Sequence, residues 1–288
     1  APKITSGTGN IAIGYDSLYE NLSGNTNIAI GYECLQSSTT VSNNIAIGTQ
    51  SLKNVTCRYN VAVGSYALND LVGTGDANVE DGYNTALGYA AGGTTANVEK
   101  NTHIGAYAGY FGWSGLVQTT NPNYNNITAL GYNSNCSGND QVQLGGNYTD
   151  IYAWSAVNNR SDARDKTDIR DTLLGLDFIK SLRPVDFRWD IRDDYFDFDP
   201  ETNERTAVTK DGSRKRNRFH HGLIAQEVKL VSDTLGVDFA GYQDHKVNGG
   251  GDVLTIGYTE LIAPMIKAMQ ELAAENAQLK ARLDAAGL

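Results

Sequence analysis

The stretch Arg160-Ser161-Asp162-Ala163-Arg164-Asp165-Lys166 places a serine hydroxyl five residues before a lysine amine. A serine can attack the carbonyl on its own N-terminal side, giving an ester through a five-membered ring that water then hydrolyses. The hydroxyl must first lose its proton. A lysine amine, with an ordinary pKa of about 10.4, is mostly charged at neutral pH. Burial away from water lowers that value and frees the amine to act as base. The bland alternative is that a serine ahead of charged residues serves as a helix N-cap.

Other chemistry-bearing residues point nowhere so definite. Cys34, Cys57 and Cys136 are an odd number without metal-type spacing. Cys34 follows a repeat glycine by three residues, where neighbouring repeats carry Ser17, Ser51 and Ala67, so it reads as a small packed residue and not as part of a disulfide framework. His220 and His221 lack the glutamate and second histidine of a zinc helix. The carboxylates Asp193, Asp194, Asp197 and Asp199 show no calcium-loop spacing. With the later cations Lys210, Arg214, Lys215, Arg216 and Arg218 they read as a solvated hairpin. A net charge of −10 argues against sequence-independent nucleic-acid binding, which needs a cationic surface. No apolar run approaches the roughly 18 residues of a membrane span. Neither a cofactor nor a metal is implied. The start, Ala1-Pro2-Lys3-Ile4-Thr5, resembles no signal peptide and has no initiator methionine, so the chain reads as the C-terminal fragment of something longer.

The Ser161 segment sits where the composition changes. Residues 1–160 hold 15 charged side chains and 21 glycines, whereas residues 161–288 hold 41 and 10. A boundary there divides a first domain, 1–160, from a second, 161–288.

The first domain is a repeat array. Asn-Ile-Ala-Ile-Gly occurs at Asn10–Gly14, Asn27–Gly31 and Asn44–Gly48, then as Asn60–Gly64 and Asn84–Gly88, with weaker copies at Asn101–Gly105, Ile127–Gly131 and Gln141–Gly145. In a short strand Ile28 and Ile30 share one face, and Ala29 takes the other, where a neighbour must come close. The glycine permits a turn that a residue with Cβ resists. Leu18, Leu35, Leu52 and Leu68, four residues after the first four glycines, return the chain to the core. So short a unit must stack on its copies to bury an apolar face. Longer spacings at Leu71–Asp81 and Tyr110–Asn125 are then loops. The aromatics Tyr110, Phe111, Trp113 and Tyr124 suit either a recognition surface or a cap on the stack.

In the second domain Thr172–Leu182 reads as a helix stopped by Arg183-Pro184, Val185–Trp189 as a strand, and His221–Val228 as a strand running into a helix. Near the end, Ile262, Met265, Met269, Leu272, Asn276, Leu279 and Leu283 recur at spacings of 3 and 4. This a/d pattern predicts a coiled coil over 260–285, with Asn276 at an a position that fixes register. The alternative is an amphipathic helix packed on its own domain.

These motifs carry two resemblances. The repeat over about residues 9–145 resembles the head repeats of trimeric autotransporter adhesins, and similar repeats precede chaperone domains in phage fibres. The second domain resembles the self-cleaving intramolecular chaperones that end bacteriophage tail fibres, tailspikes and endosialidases. Four stretches carry it: Ser161, Asp162, Arg164 and Lys166; Arg183-Pro184 with Trp189; Gly222 to Val228; and Tyr258, Leu261, Pro264, Ala268, Glu271 and Leu272. The resemblance implies an elongated trimeric β-roll or β-helix-like stalk followed by an α+β chaperone domain ending in a coiled-coil helix. It also implies self-cleavage between Arg160 and Ser161, with Ser161 as nucleophile and Lys166 as general base. The expected protein is a virion tail-fibre or spike tip, a homotrimer that binds a host cell-surface receptor, protein or polysaccharide, with no nucleic-acid partner and no membrane insertion. Its chaperone domain, made in the host cytoplasm, assembles three chains and is then released. The competing readings are a trimeric adhesin tip that does not cut and a glycan-degrading spike. The few acids scattered through the repeats speak against the latter.

Overall fold

In a computed structural model the described residues are all except 1–2, 72–81, 94–97, 111–123, 147–148, 156, 199–204, 249 and 288. The first eight strands are β1 (Ile11–Ile13), β2 (Ile28–Ile30), β3 (Ile45–Ile47), β4 (Val61–Val63), β5 (Thr85–Leu87), β6 (Thr102–Ile104), β7 (Thr128–Leu130) and β8 (Val142–Leu144). Helix α1 (Leu176–Ser181), β9 (Val185–Phe187), β10 (Phe196–Phe198), β11 (Arg205–Ala207), β12 (His220–Gly222) and α2 (Ala225–Leu235) follow. The chain closes with β13 (Tyr242–Asp244), β14 (Leu254–Ile256) and α3 (Ile262–Ala286). It forms two compact units, one of residues 1–152, 192–210 and 246–252, the other of 153–191, 211–245 and 253–288.

The first unit is a β-solenoid. Strands β1 to β8 form one parallel sheet in sequence order, each repeat in register on the next, Ala29 opposite Ala46 and Ala46 opposite Ala62. The alanines face inward and are fully buried, while the flanking isoleucines are partly open. Leu18, Leu35, Leu52 and Leu68 are buried as expected. They sit at φ of +47° to +50°, a left-handed conformation that costs a side-chain-bearing residue about 1–2 kcal/mol. Burying a leucine returns about 1.5–3 kcal/mol, so the turn is held by the core it feeds. At the corner glycines two demands coincide. Gly48 has φ +129°, and a Cβ there would stand 2.6 Å from the carbonyl carbon of Gly64 in the next coil.

The repeat asparagines form a buried polar spine. The Oδ1 of Asn27 accepts the Asn44 N–H at 3.0 Å, Asn44 accepts that of Asn60 at 2.9 Å, and Asn60 that of Asn84 at 3.1 Å. The side-chain amides of Asn27, Asn44 and Asn84 donate to the carbonyls of Val41, Cys57 and Val98. Each coil thus satisfies backbone groups of its neighbour, as burial requires. The three cysteines are buried free thiols, and burial pushes Cys136 up to about 11.

The β6 coil departs from the pattern. His103 of β6 occupies the place of the inward alanine and is fully buried. Room for it comes from Gly92 and Gly109, which stand four residues after their corner glycines, where earlier coils carry leucine. A Cβ on Gly109 would lie 2.0 Å from the imidazole Nδ1. Among the described residues neither ring nitrogen has a hydrogen-bond partner, and burial lowers the pKa to about 4.

Outward, the solenoid shows apolar rows. Ile11, Ile13, Ile47, Leu87 and Ile104 are all more than a third exposed. Beside them Tyr66, Tyr89, Tyr107 and Tyr132 make successive edge-to-face contacts at 5.3–6.0 Å between ring centroids. The same unit holds the antiparallel hairpin β10–β11, consistent with the hairpin expected there, and the Gly251 N–H donates to the Ser137 carbonyl at 2.6 Å. Leu71 and Tyr110 are described, but the rest of the Leu71–Asp81 loop and most of Tyr110–Asn125, with Phe111 and Trp113, lie outside the described residues, as does Asp199.

The second unit has a small core of Phe178, Val228, Phe239 and Leu261. Its first helix is shorter than the expected Thr172–Leu182. The Thr172 hydroxyl accepts the Leu174 N–H and diverts the backbone, so α1 begins only after Gly175, and Leu173 is left exposed. Helix α3 uses two faces differently. Leu261, just ahead of it, with Pro264 and Ala268, is buried within the unit. Ile262, Met265, Met269, Leu272, Leu279 and Leu283, the heptad positions, are 46–63% exposed. Packing on its own unit therefore does not account for the heptad.

Candidate active site

Ser161 and Lys166 come together across one tight turn. Asp162, extended at φ −70° and ψ 132°, caps a 3₁₀ turn over Ala163–Asp165, its carboxylate accepting the Arg164 N–H at 2.9 Å. The N–H of Lys166 closes on the Ala163 carbonyl at 3.2 Å. That reversal brings the Lys166 Nζ to 2.8 Å from the Ser161 Oγ. Both side chains are exposed. In this contact the ammonium donates to the hydroxyl oxygen. In the reverse sense, with a neutral amine accepting from the hydroxyl, the same contact activates the serine.

Charged neighbours frame the turn. The Arg164 guanidinium grips both Asp162 oxygens, through Nε at 3.1 Å to each and through Nη2 at 2.6 Å. Hydrogen bonding to Arg164 holds the Asp162 carboxyl below its ordinary range. Arg160, whose carbonyl is the one Ser161 would attack, donates from Nε to the Asp165 carboxylate at 2.7 Å.

The remaining motif residues fasten the unit. Tyr258 accepts the Leu223 N–H at 2.9 Å with its hydroxyl, and a Cβ on Gly222 would lie 2.6 Å from that oxygen. Arg183 forks onto Glu227, whose carboxyl it holds low. Glu271 accepts the Leu176 N–H at 2.7 Å and so caps α1 from α3. None of these three roles is visible in the motif spacing, because each partner lies tens of residues away. His221 pairs with Asp186 across β9 and β12 at 2.6 Å, and the His220 ring lies near Phe187 and Trp189. Among the described residues no three His, Cys, Asp or Glu side chains gather as a metal ion would require, and no helix is long and apolar enough to cross a membrane.

Residues 161–237 match the family described as the chaperone of endosialidase, a peptidase family of self-cleaving chaperone domains. The match opens on Ser161 and runs through α1, β9, β12 and α2, so the second half of the chain carries a chaperone-type domain. No curated protein and no solved structure matches the chain.

Proposed function

We propose that the chain is the tip of a phage tail fibre or spike, in which residues 161–288 assemble three copies of the 1–160 stalk and then cut the Arg160–Ser161 bond. The observation that carries this is the 2.8 Å contact between Lys166 Nζ and Ser161 Oγ, immediately after the bond to be cut and at the opening of the family match. Neutral Lys166 takes the hydroxyl proton as Oγ attacks the Arg160 carbonyl carbon. The proton passes to the Ser161 nitrogen as the C–N bond breaks, leaving an ester between Arg160 and the serine oxygen. Water hydrolyses that ester to an Arg160 carboxylate and a chain beginning at Ser161.

Trimer assembly is supported by two apolar surfaces that a single chain leaves open, the outward isoleucine rows and the α3 heptad. Closing chains around the turn would shut water away from the amine and favour its neutral form, which would time the cut to follow assembly. The exposed tyrosine row fits host attachment, to a protein or a polysaccharide, and the fibre would act on the virion after its chaperone is shed in the host cytoplasm. A second reading, a trimeric tip that does not cut, is favoured by one fact: in the single chain the turn is exposed.

Denaturing gels with N-terminal sequencing separate the two readings. Fresh protein is expected to yield 1–160 and a piece starting at Ser161. Ser161→Ala and Lys166→Ala should stay whole yet trimeric, and Lys166→Arg should stay whole because guanidinium cannot act as base. Met269→Asp with Leu272→Asp should abolish trimers and cutting together. A different start, or no cut under any condition, would remove the peptidase assignment.

A further inference from the structure

The turn holds two carboxylates, Asp162 and Asp165, within four residues of the Lys166 amine, and either could claim it. A lysine in an ion pair holds its proton more tightly and serves less well as base. Yet among the described residues Lys166 makes no ion pair, and its amine rests on the serine. Each carboxylate is held by an arginine instead, Asp162 by Arg164 and Asp165 by Arg160. The contacts 160–165 and 161–166 both span five residues and run side by side across the turn.

We propose that Arg160 is a positioning residue for self-cleavage: by taking up the Asp165 carboxylate it leaves the Lys166 amine to the Ser161 hydroxyl. This rests on the assignment of Arg160–Ser161 as the bond that is cut. Arginine suits the task because its guanidinium stays charged at every pH at which the lysine could lose its proton. Asp165 is therefore not released at the moment the base is needed. The same ion pair tethers the residue that carries the scissile carbonyl to the turn that carries the base, which favours a near-attack geometry. An exposed pair such as this contributes little to stability, so its effect should be read in the rate. The other charged groups of the segment are Arg160, Asp162, Arg164, Asp165, Asp168, Arg170 and Asp171, and no described hydrogen bond or ion pair reaches the amine from another element.

The test uses the 288-residue chain, assembled at low pH where cutting is slow, then jumped to a series of higher pH values while the cut fraction is followed on denaturing gels. Arg160→Ala frees Asp165 beside the amine. Cutting at neutral pH should slow about tenfold, and the rise of rate with pH should move up by about one unit, the two being the same free energy. Adding Asp165→Asn should return the rise to its wild-type position, and Asp165→Asn alone should not move it upward. The idea is overturned if Arg160→Ala leaves the profile in place, if the double variant stays as displaced as the single, or if Asp165→Asn alone shifts it upward. Wild-type chain that never cuts after residue 160 would instead sink the assignment of the bond, and trimers seen by light scattering for each variant exclude a failure of assembly.

Discussion

The solenoid and the C-terminal unit satisfy their polar groups by opposite means. In the solenoid each coil answers the next at the same position, asparagine to asparagine and glycine corner to glycine corner. In the second unit the fasteners are long-range: Glu271 to Leu176 across 95 residues, Arg183 to Glu227 across 44, Tyr258 to Leu223 across 35. A solenoid can therefore grow from any coil by nearest-neighbour stacking, whereas the second unit closes only once distant segments meet. Yet stacking presupposes a first coil, and a coil alone buries almost nothing. Under the proposed assembly of three chains, the second unit would supply that start.

The largest disturbance of this contrast should come from a corner glycine. Gly48→Val puts a branched side chain at φ +129° and into the Gly64 backbone, at a cost of about 4 kcal/mol from strain and overpacking. The expected outcome is loss of the solenoid's melting transition while the helical circular-dichroism signal of the second unit persists. If both transitions vanish together, the two regions are one cooperative unit and the contrast fails.

A milder probe is acid. Buried His103 is neutral in the fold with a pKa of about 4, whereas the unfolded chain binds a proton below about pH 6.5. Above that pH the histidine contributes its full stability. As pH falls from about 6.5 towards 4 the contribution is lost, by about 3 kcal/mol in all. The solenoid's melting temperature should fall across this window, and His103→Phe, which cannot titrate, should flatten the slope. An unchanged slope in that variant would place the acid sensitivity elsewhere.

The same contrast explains what the sequence disclosed. Ile28, Ala29, Gly31 and Leu35 announce their roles because every coil repeats their surroundings. The asparagines appear in the same motif, but their partner is a copy of themselves in the next coil, which becomes visible only when coils are stacked. His103 breaks the pattern, and its compensation comes from Gly92 in the preceding coil and Gly109 further along its own. The Ser161–Lys166 pair was legible from its motif. The pairing of Arg160 with Asp165 was not, since five charged side chains in seven residues allow several partnerships. Helix α1 starts later than its sequence suggests because the Thr172 hydroxyl draws the Leu174 N–H aside and the group that caps the first turn belongs to α3.

That cap offers the smallest and most local test. Glu271→Ala strips the acceptor from the Leu176 N–H at the first turn of α1. Water can replace it, since the Glu271 side chain is 38% exposed, so the loss should be about 1 kcal/mol, that of an ordinary N-cap. Gly175 sharpens the reading. A Cβ there would meet the Glu271 carboxylate at 2.3 Å, and that carboxylate is the end of a flexible side chain. Gly175→Ala should therefore destabilise the wild type by pushing the cap aside, yet cost less when Glu271 is already alanine. Urea midpoints for the two single variants and the double variant measure this coupling. A Glu271→Ala variant that loses nothing, with Gly175→Ala costing the same in either background, would mean that the cap is idle and that α3 is held to α1 by the burial of Leu261, Pro264 and Ala268 alone. The distant fastening of the second unit would then rest on apolar packing, as the solenoid's inner face does, and the difference between the two regions would narrow accordingly.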